Sequence, residues 1–89
     1  MTEPRKSLLE FPCSFPIKVI GKDDADFEGH VRVLVGKHVD EAATTLVETR
    51  PSGAGTYLAV TVTFTAQSQE QIDALYRELT ADARVLVVL

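Results

Sequence analysis

From Thr56 to Ala66 the chain alternates without interruption, with Leu58, Val60, Val62, Phe64 and Ala66 on one side and Tyr57, Ala59, Thr61, Thr63 and Thr65 on the other. Successive side chains of a strand leave on opposite faces, so this segment is a strand with one apolar face and one mixed face. Upstream, Ala43 to Arg50 is a weaker run of β-formers with Thr44, Thr45, Val47 and Thr49. Pro51-Ser52-Gly53-Ala54-Gly55 between them is turn chemistry, and two such runs around a Gly-containing loop predict an antiparallel hairpin.

Other segments complete the order. Ser14 to Gly21 alternates Phe15, Ile17 and Val19 with Pro16, Lys18 and Ile20, a first strand. Proline has no amide to give a ladder, which places Pro16 at the strand's entry. The segment Asp24–His38 carries two patterns. Phe27, Val31, Leu34, Val35 and His38 form one helical stripe, whereas Val31, Val33 and Val35 alternate as in a strand. Its length decides for a helix over residues 25–37, since an uninterrupted strand rarely exceeds ~10 residues. Asp23 or Asp24 is the expected N-cap. Ser68-Gln69-Glu70-Gln71 reads as a capping box ahead of the stripe Ile72, Leu75, Tyr76 and Leu79. Arg84 to Leu89 is a last strand, apolar on both faces. The order β-α-β-β-α-β with right-handed crossovers predicts an α+β, ferredoxin-like sandwich: a four-stranded antiparallel sheet with both helices on one face. Residues 1–13 form an arm and 14–89 a single domain.

Composition narrows the function classes. The chain has 89 residues, 45% hydrophobic and 25% charged, as in a globular domain. No apolar run approaches the ~20 residues of a membrane span, and the start lacks a secretory pattern. One cysteine makes no internal disulfide, which fits a reducing cytoplasm. Nine basic against thirteen acidic residues give a net charge of −4, which argues against nucleic acid or an anionic membrane as partner.

Several blocks together resemble a known family. Leu8-Leu9-Glu10-Phe11-Pro12 followed by Phe15-Pro16-Ile17-Lys18-Val19-Ile20-Gly21 resembles the opening of the small bacterial YbeD-like proteins. The hairpin from Arg50-Pro51-Ser52 through Gly55-Thr56-Tyr57, the helix Gln71 to Leu79 and the ending Val85-Leu86-Val87-Val88-Leu89 are similar to that family too. The resemblance implies a fold like that of ACT domains, which are small-molecule sensor modules, and some members carry the label of lipoate-related regulatory proteins. It brings no catalytic residue. The family's hairpin tip often carries a basic or polar residue where this chain has Ala54, which speaks against an anion site there.

Individual candidates weigh mostly on the structural side. Gly53-Ala54-Gly55 is followed by a strand, whereas phosphate cradles are followed by a helix, so it reads as a turn. His30 and His38 stand eight apart, ~12 Å along a helix, too far to share one metal ion. His38 is expected to end the helix and bond a terminal carbonyl. Cys13, between Pro12 and Pro16, has no nearby base and reads as a half-buried thiol rather than a nucleophile. A metal chaperone of this fold needs a second cysteine at C-x-x-C spacing. An acylphosphatase needs an arginine after the first strand, where this chain has Gly21-Lys22-Asp23-Asp24. An RNA-recognition sheet needs several aromatics, and the open face of the third strand has only Tyr57. No catalytic, metal or cofactor residue is assigned, and an enzyme is not expected.

Two places are candidates for binding. In ACT-like modules the loop between the first strand and first helix lines a ligand or dimer site, and Gly21, Lys22, Asp23 and Asp24 occupy that position. The apolar Leu8, Leu9 and Phe11 lie outside the six elements, as a partner surface or as cover for the domain's own core. An uncovered apolar edge at residues 84–89 invites pairing. The expected function is a cytoplasmic, non-enzymatic regulatory or adaptor module, linked to lipoate metabolism through contact with a protein partner or itself. The alternative is a small-ligand sensor using the Gly21–Asp24 turn.

Overall fold

A computed structural model of the chain describes residues 10–24 and 26–89. The alternating segment becomes β3 (Tyr57–Ala66), which pairs along its length with β1 (Cys13–Lys22) on one flank and β2 (Thr44–Ser52) on the other. β4 (Val85–Val88) pairs antiparallel with the far side of β1, giving the sheet order β2-β3-β1-β4. Between the strands run α1 (Phe27–Gly36) and α2 (Gln69–Thr80), and a 3-10 turn at Glu41–Ala43 leads into β2. This is the expected ferredoxin-like βαββαβ arrangement. Residues 1–9 of the N-terminal arm lie outside the described residues.

One face of the sheet supplies Ile17, Val19, Val60, Val62, Phe64 and Ala66 to the core, all buried. The helices close it with Phe27, Val31, Leu34 and Val35 from α1 and Ile72, Leu75 and Leu79 from α2. The conflict over residues 31–35 resolves as helix because burial follows the helical period. Val31 and Val35 are buried while Val33 is 63% exposed, whereas a strand would put all three on one face. Tyr76, expected in the stripe of α2, is instead exposed, because Ile72, Leu75 and Leu79 alone cover the sheet beneath it.

Three local expectations need correction. Pro16 is the fourth residue of β1, not its entry. Lys18 and Leu89 exchange both backbone hydrogen bonds, so the odd-numbered neighbours face β3 and the nitrogens of Lys18 and Pro16 face the β4 side. The strand β4 does not reach Pro16, and its missing N–H costs no ladder bond. The N-cap of α1 is Asp26 rather than Asp23 or Asp24. Asp26 adopts a left-handed backbone (φ 54°), and its carboxylate accepts from the Gly29 N–H at 3.1 Å. Ser68 caps α2 through the Gln71 N–H at 3.1 Å, but the Gln71 side chain accepts from the Gln67 N–H, at 2.7 Å, and not from Ser68.

Candidate functional site

The turn between β1 and α1 is built around a close approach. Gly21 is buried where the β1–β4 register shifts, and a Cβ there would meet the Arg84 carbonyl oxygen and the Phe27 ring, each at 2.5 Å. The Arg84 guanidinium lies 5.7 Å from the centroid of that ring and donates to the Asp24 carbonyl at 2.7 Å and its carboxylate at 3.3 Å. Lys22, Asp23 and Asp24 are exposed. The Asp23 N–H donates to Thr56 at the hairpin end, and the Asp24 N–H donates to the Lys22 carbonyl. Of the four candidate residues, then, Gly21 is a packing position and Asp24 is latched to the start of β4.

Behind the latch stands a pair the sequence did not reveal. His30 Nε2 lies 2.9 Å from both carboxylate oxygens of Asp82, which also accepts the Arg84 N–H at 2.9 Å. Burial works against the Asp82 charge, but the hydrogen bonds from His30 and the Arg84 N–H, with the charges of both residues, hold its carboxyl below the ordinary value. A second pair sits just past the other end of α1, against the last turn of α2. His38 Nε2 meets Glu78 at 3.0 Å, with Lys37 Nζ at 3.5 Å. That bond from His38, aided by Lys37, lowers the Glu78 pKa despite some desolvation. Contrary to the expectation of a bond to a terminal carbonyl, the His38 ring is engaged by Glu78. The backbone N–H groups of Lys37, His38 and Val39 take the last helical carbonyls, and the His38 carbonyl itself accepts from Gln71 Nε2 at 2.9 Å. Spacing gives no signal for these pairs, whose members stand 52 and 40 residues apart. They tie both ends of α1 to the C-terminal part of α2 and the turn that follows it.

Two surfaces are left. The open sheet face carries Lys18, Glu48 and Arg50 around a floor of Ala59 and Thr61, a shallow recess of about 380 Å³. Beside it runs an apolar strip: Leu86, Val87 and Leu89 are 55%, 44% and 68% exposed, and Val87 lies opposite Ile20. On the helix side, a groove of about 430 Å³ separates α1 from the edge strand β2, with Val35, Val39, Val47 and Val62 within it and Val33, Asp40 and Glu41 on its rim. Phe11 is half-buried against the core, as are Cys13 and Phe15, while Leu8 and Leu9 lie outside the described residues. Among the described residues no group of three or more His, Cys, Asp or Glu side chains could hold a metal ion, and no helix is long and apolar enough to cross a membrane.

Residues 6–89 match the family model described as protein of unknown function (DUF493). The chain belongs to that family. The YbeD-like resemblance agrees with it. The UPF0250 protein of Ralstonia nicotianae is 51% identical over 88 residues, covering 99% of this chain and 91% of that one. That of Paraburkholderia phytofirmans is 45% identical over the full length of both. Among solved structures, the ACT domain of the GTP pyrophosphokinase of Chlorobium tepidum superposes with a TM-score of 0.68 at 12% identity, over 85% of this chain and 94% of that one. The H. pylori protein HP0495 gives 0.70 at 13% identity, over 91% and 85%. At such identities the likeness is one of fold: this DUF493 chain is an ACT-like ferredoxin-fold domain.

Proposed function

We propose that this DUF493 protein is a non-enzymatic regulatory or adaptor module that acts by protein–protein contact, with lipoate metabolism as the setting that the YbeD-like kinship suggests. The observation that carries the reading is the strip Leu86, Val87 and Leu89 on the sheet's outer strand. Because Leu89 exchanges its hydrogen bonds with Lys18, the N–H and C=O of Val88 point away from β1, toward an incoming strand. An extended apolar segment of a partner would gain ladder bonds there and cover the exposed side chains in one step. The rival reading, a ligand sensor at Gly21, Lys22, Asp23 and Asp24, has less support, since Arg84 already engages Asp24.

Affinity capture with the wild-type chain and with Leu86→Ser/Leu89→Ser tests the reading. Both positions are exposed, so the variant should keep its far-UV circular dichroism and lose the captured partner. Equal capture by both proteins would rule out the β4 surface.

A further inference from the structure

The strands sort their charges by face. Along β1 the buried Val19 and Gly21 alternate with Lys18, Ile20 and Lys22, which therefore stand on the open face of the sheet. Along β2, Thr49 bonds Glu28 of α1, so its neighbours Glu48 and Arg50 stand on the open face too. β3 and β4 add no charged residue to it. Three cations against one acid leave this face a surplus of two positive charges, on a chain whose net charge is −4. Elsewhere Arg32, Lys37 and Arg84 each meet a carboxylate, at 3.0, 3.5 and 3.3 Å. Lys18, Lys22 and Arg50 meet none among the described residues.

The sheet register places the three cations around one point. Lys18 pairs with Thr61 and Lys22 with Tyr57, while Arg50 pairs with Ala59 from the opposite side of β3. Two strand spacings and two residues separate Arg50 from each lysine, and four residues separate the lysines, a Cα triangle with sides of ~12–13 Å. Its centre is ~7 Å from each corner, within the length of an extended lysine or arginine side chain. Ala59 lies beneath that centre, and its single methyl leaves the recess of about 380 Å³. Five of the seven residues that line the recess are polar or charged, Thr61 and Ser52 among them. Sites for apolar ligands are lined mainly by hydrophobic side chains, so this lining selects a hydrophilic one.

We propose that this recess binds a small phosphorylated, hydroxyl-bearing molecule, its phosphate held by Lys18, Arg50 and the flanking Lys22 and its hydroxyls donating to Glu48. Charge decides the first half. A phosphate monoester carries ~ −1.5 to −2 near pH 7, which balances the surplus of the face, whereas a monocarboxylate leaves one positive charge unmatched. Lysine ammonium groups and the arginine fork are the side chains best suited to phosphate oxygens. Glu48 decides the second half. Its carboxylate only accepts hydrogen bonds, so it opposes a bare anion and becomes a partner for one that carries hydroxyl donors. The recess has room for one small molecule, and the acidic balance of the rest of the chain repels an extended polyanion. The site shares Lys22 with the Gly21–Asp24 turn and no residue with the strip Leu86, Val87 and Leu89, so it stands or falls apart from docking there.

Amide chemical shifts of the full-length chain, titrated with glucose 6-phosphate, inorganic phosphate and glucose, provide the test. Saturable shifts centred on Lys18, Arg50, Ala59 and Thr61 are expected with glucose 6-phosphate, weaker binding with inorganic phosphate, and none with glucose. Lys18→Gln/Arg50→Gln should weaken glucose 6-phosphate binding by about tenfold or more, through loss of two charge-assisted contacts. Both side chains are exposed, so the far-UV circular dichroism of that variant should match wild type. Glu48→Gln should weaken glucose 6-phosphate without weakening inorganic phosphate. Equal affinity for the two phosphates would mean an adventitious ion only. That result, shifts centred on the start of α1, indifference to Lys18→Gln/Arg50→Gln, or no saturable shift with any of the three compounds would each overturn the proposal.

Discussion

Replacing Gly21 with alanine would place a methyl carbon 2.5 Å from two groups that cannot easily move. One is the main-chain carbonyl of Arg84, fixed by the turn into β4; the other is the ring of Phe27, which is fully buried. Both contacts fall about 0.9 Å short of ordinary packing distance. Overpacking of this kind costs roughly 1–3 kcal/mol, and two rigid neighbours place Gly21 in the upper half of that range. Alanine regains ~0.5–1 kcal/mol from a less flexible unfolded chain. The net loss is roughly 1–2 kcal/mol, a fall in Tm of about 5–15 °C for a domain this small. Thermal and urea unfolding followed by circular dichroism measure it, with Gly36→Ala as control, because a Cβ at Gly36 meets nothing within 4 Å. A Gly21→Ala midpoint equal to wild type would refute the close packing of the β1–α1 turn on β4.

Gly55 sits at φ +89° with open space where a Cβ would go, so Gly55→Val tests backbone strain alone and should lower stability by more than ~1 kcal/mol in urea unfolding. The lowered carboxyl pKa values of Glu78 and Asp82 contribute stability that is fully present above their unfolded values, about pH 4, and is lost as pH falls through the lower folded values. Glu78→Gln/Asp82→Asn should therefore flatten the stability–pH curve below about pH 4, while an unchanged slope would contradict the His–carboxylate staples. Asp82→Ala alone should cost roughly 1–2 kcal/mol in urea unfolding, since it orphans both His30 and the Arg84 N–H.

What could be read from the sequence follows from the range of each interaction. Period-two and period-3.6 patterns are local, so β3, the hairpin and the stripe of α2 are visible in consecutive residues, and their order fixes the topology. The helix at residues 27–36 is harder to read because Val31 and Val35 fit both periods while Val33 fits only the strand's; length favours the helix and the exposure of Val33 settles it. Cap positions slipped by two or three residues because Asp23, Asp24 and Asp26 are chemically equal; Arg84, sixty residues away, selects Asp24 for another task. The same holds for the staples: nothing near His30 announces Asp82. The Gly21 turn was legible as a site by position, but its filling by Phe27 and Arg84 depends on packing from two other elements.

The proposal that the β4 strip is a protein-docking surface is tested most directly by photo-crosslinking in cells. A benzophenone amino acid would be placed at Leu86 or Leu89, and for comparison at exposed Asp73 on α2. The account predicts a discrete covalent adduct from positions 86 and 89 and none from 73. Adducts of equal yield at all three positions, or none at 86 and 89, would contradict it.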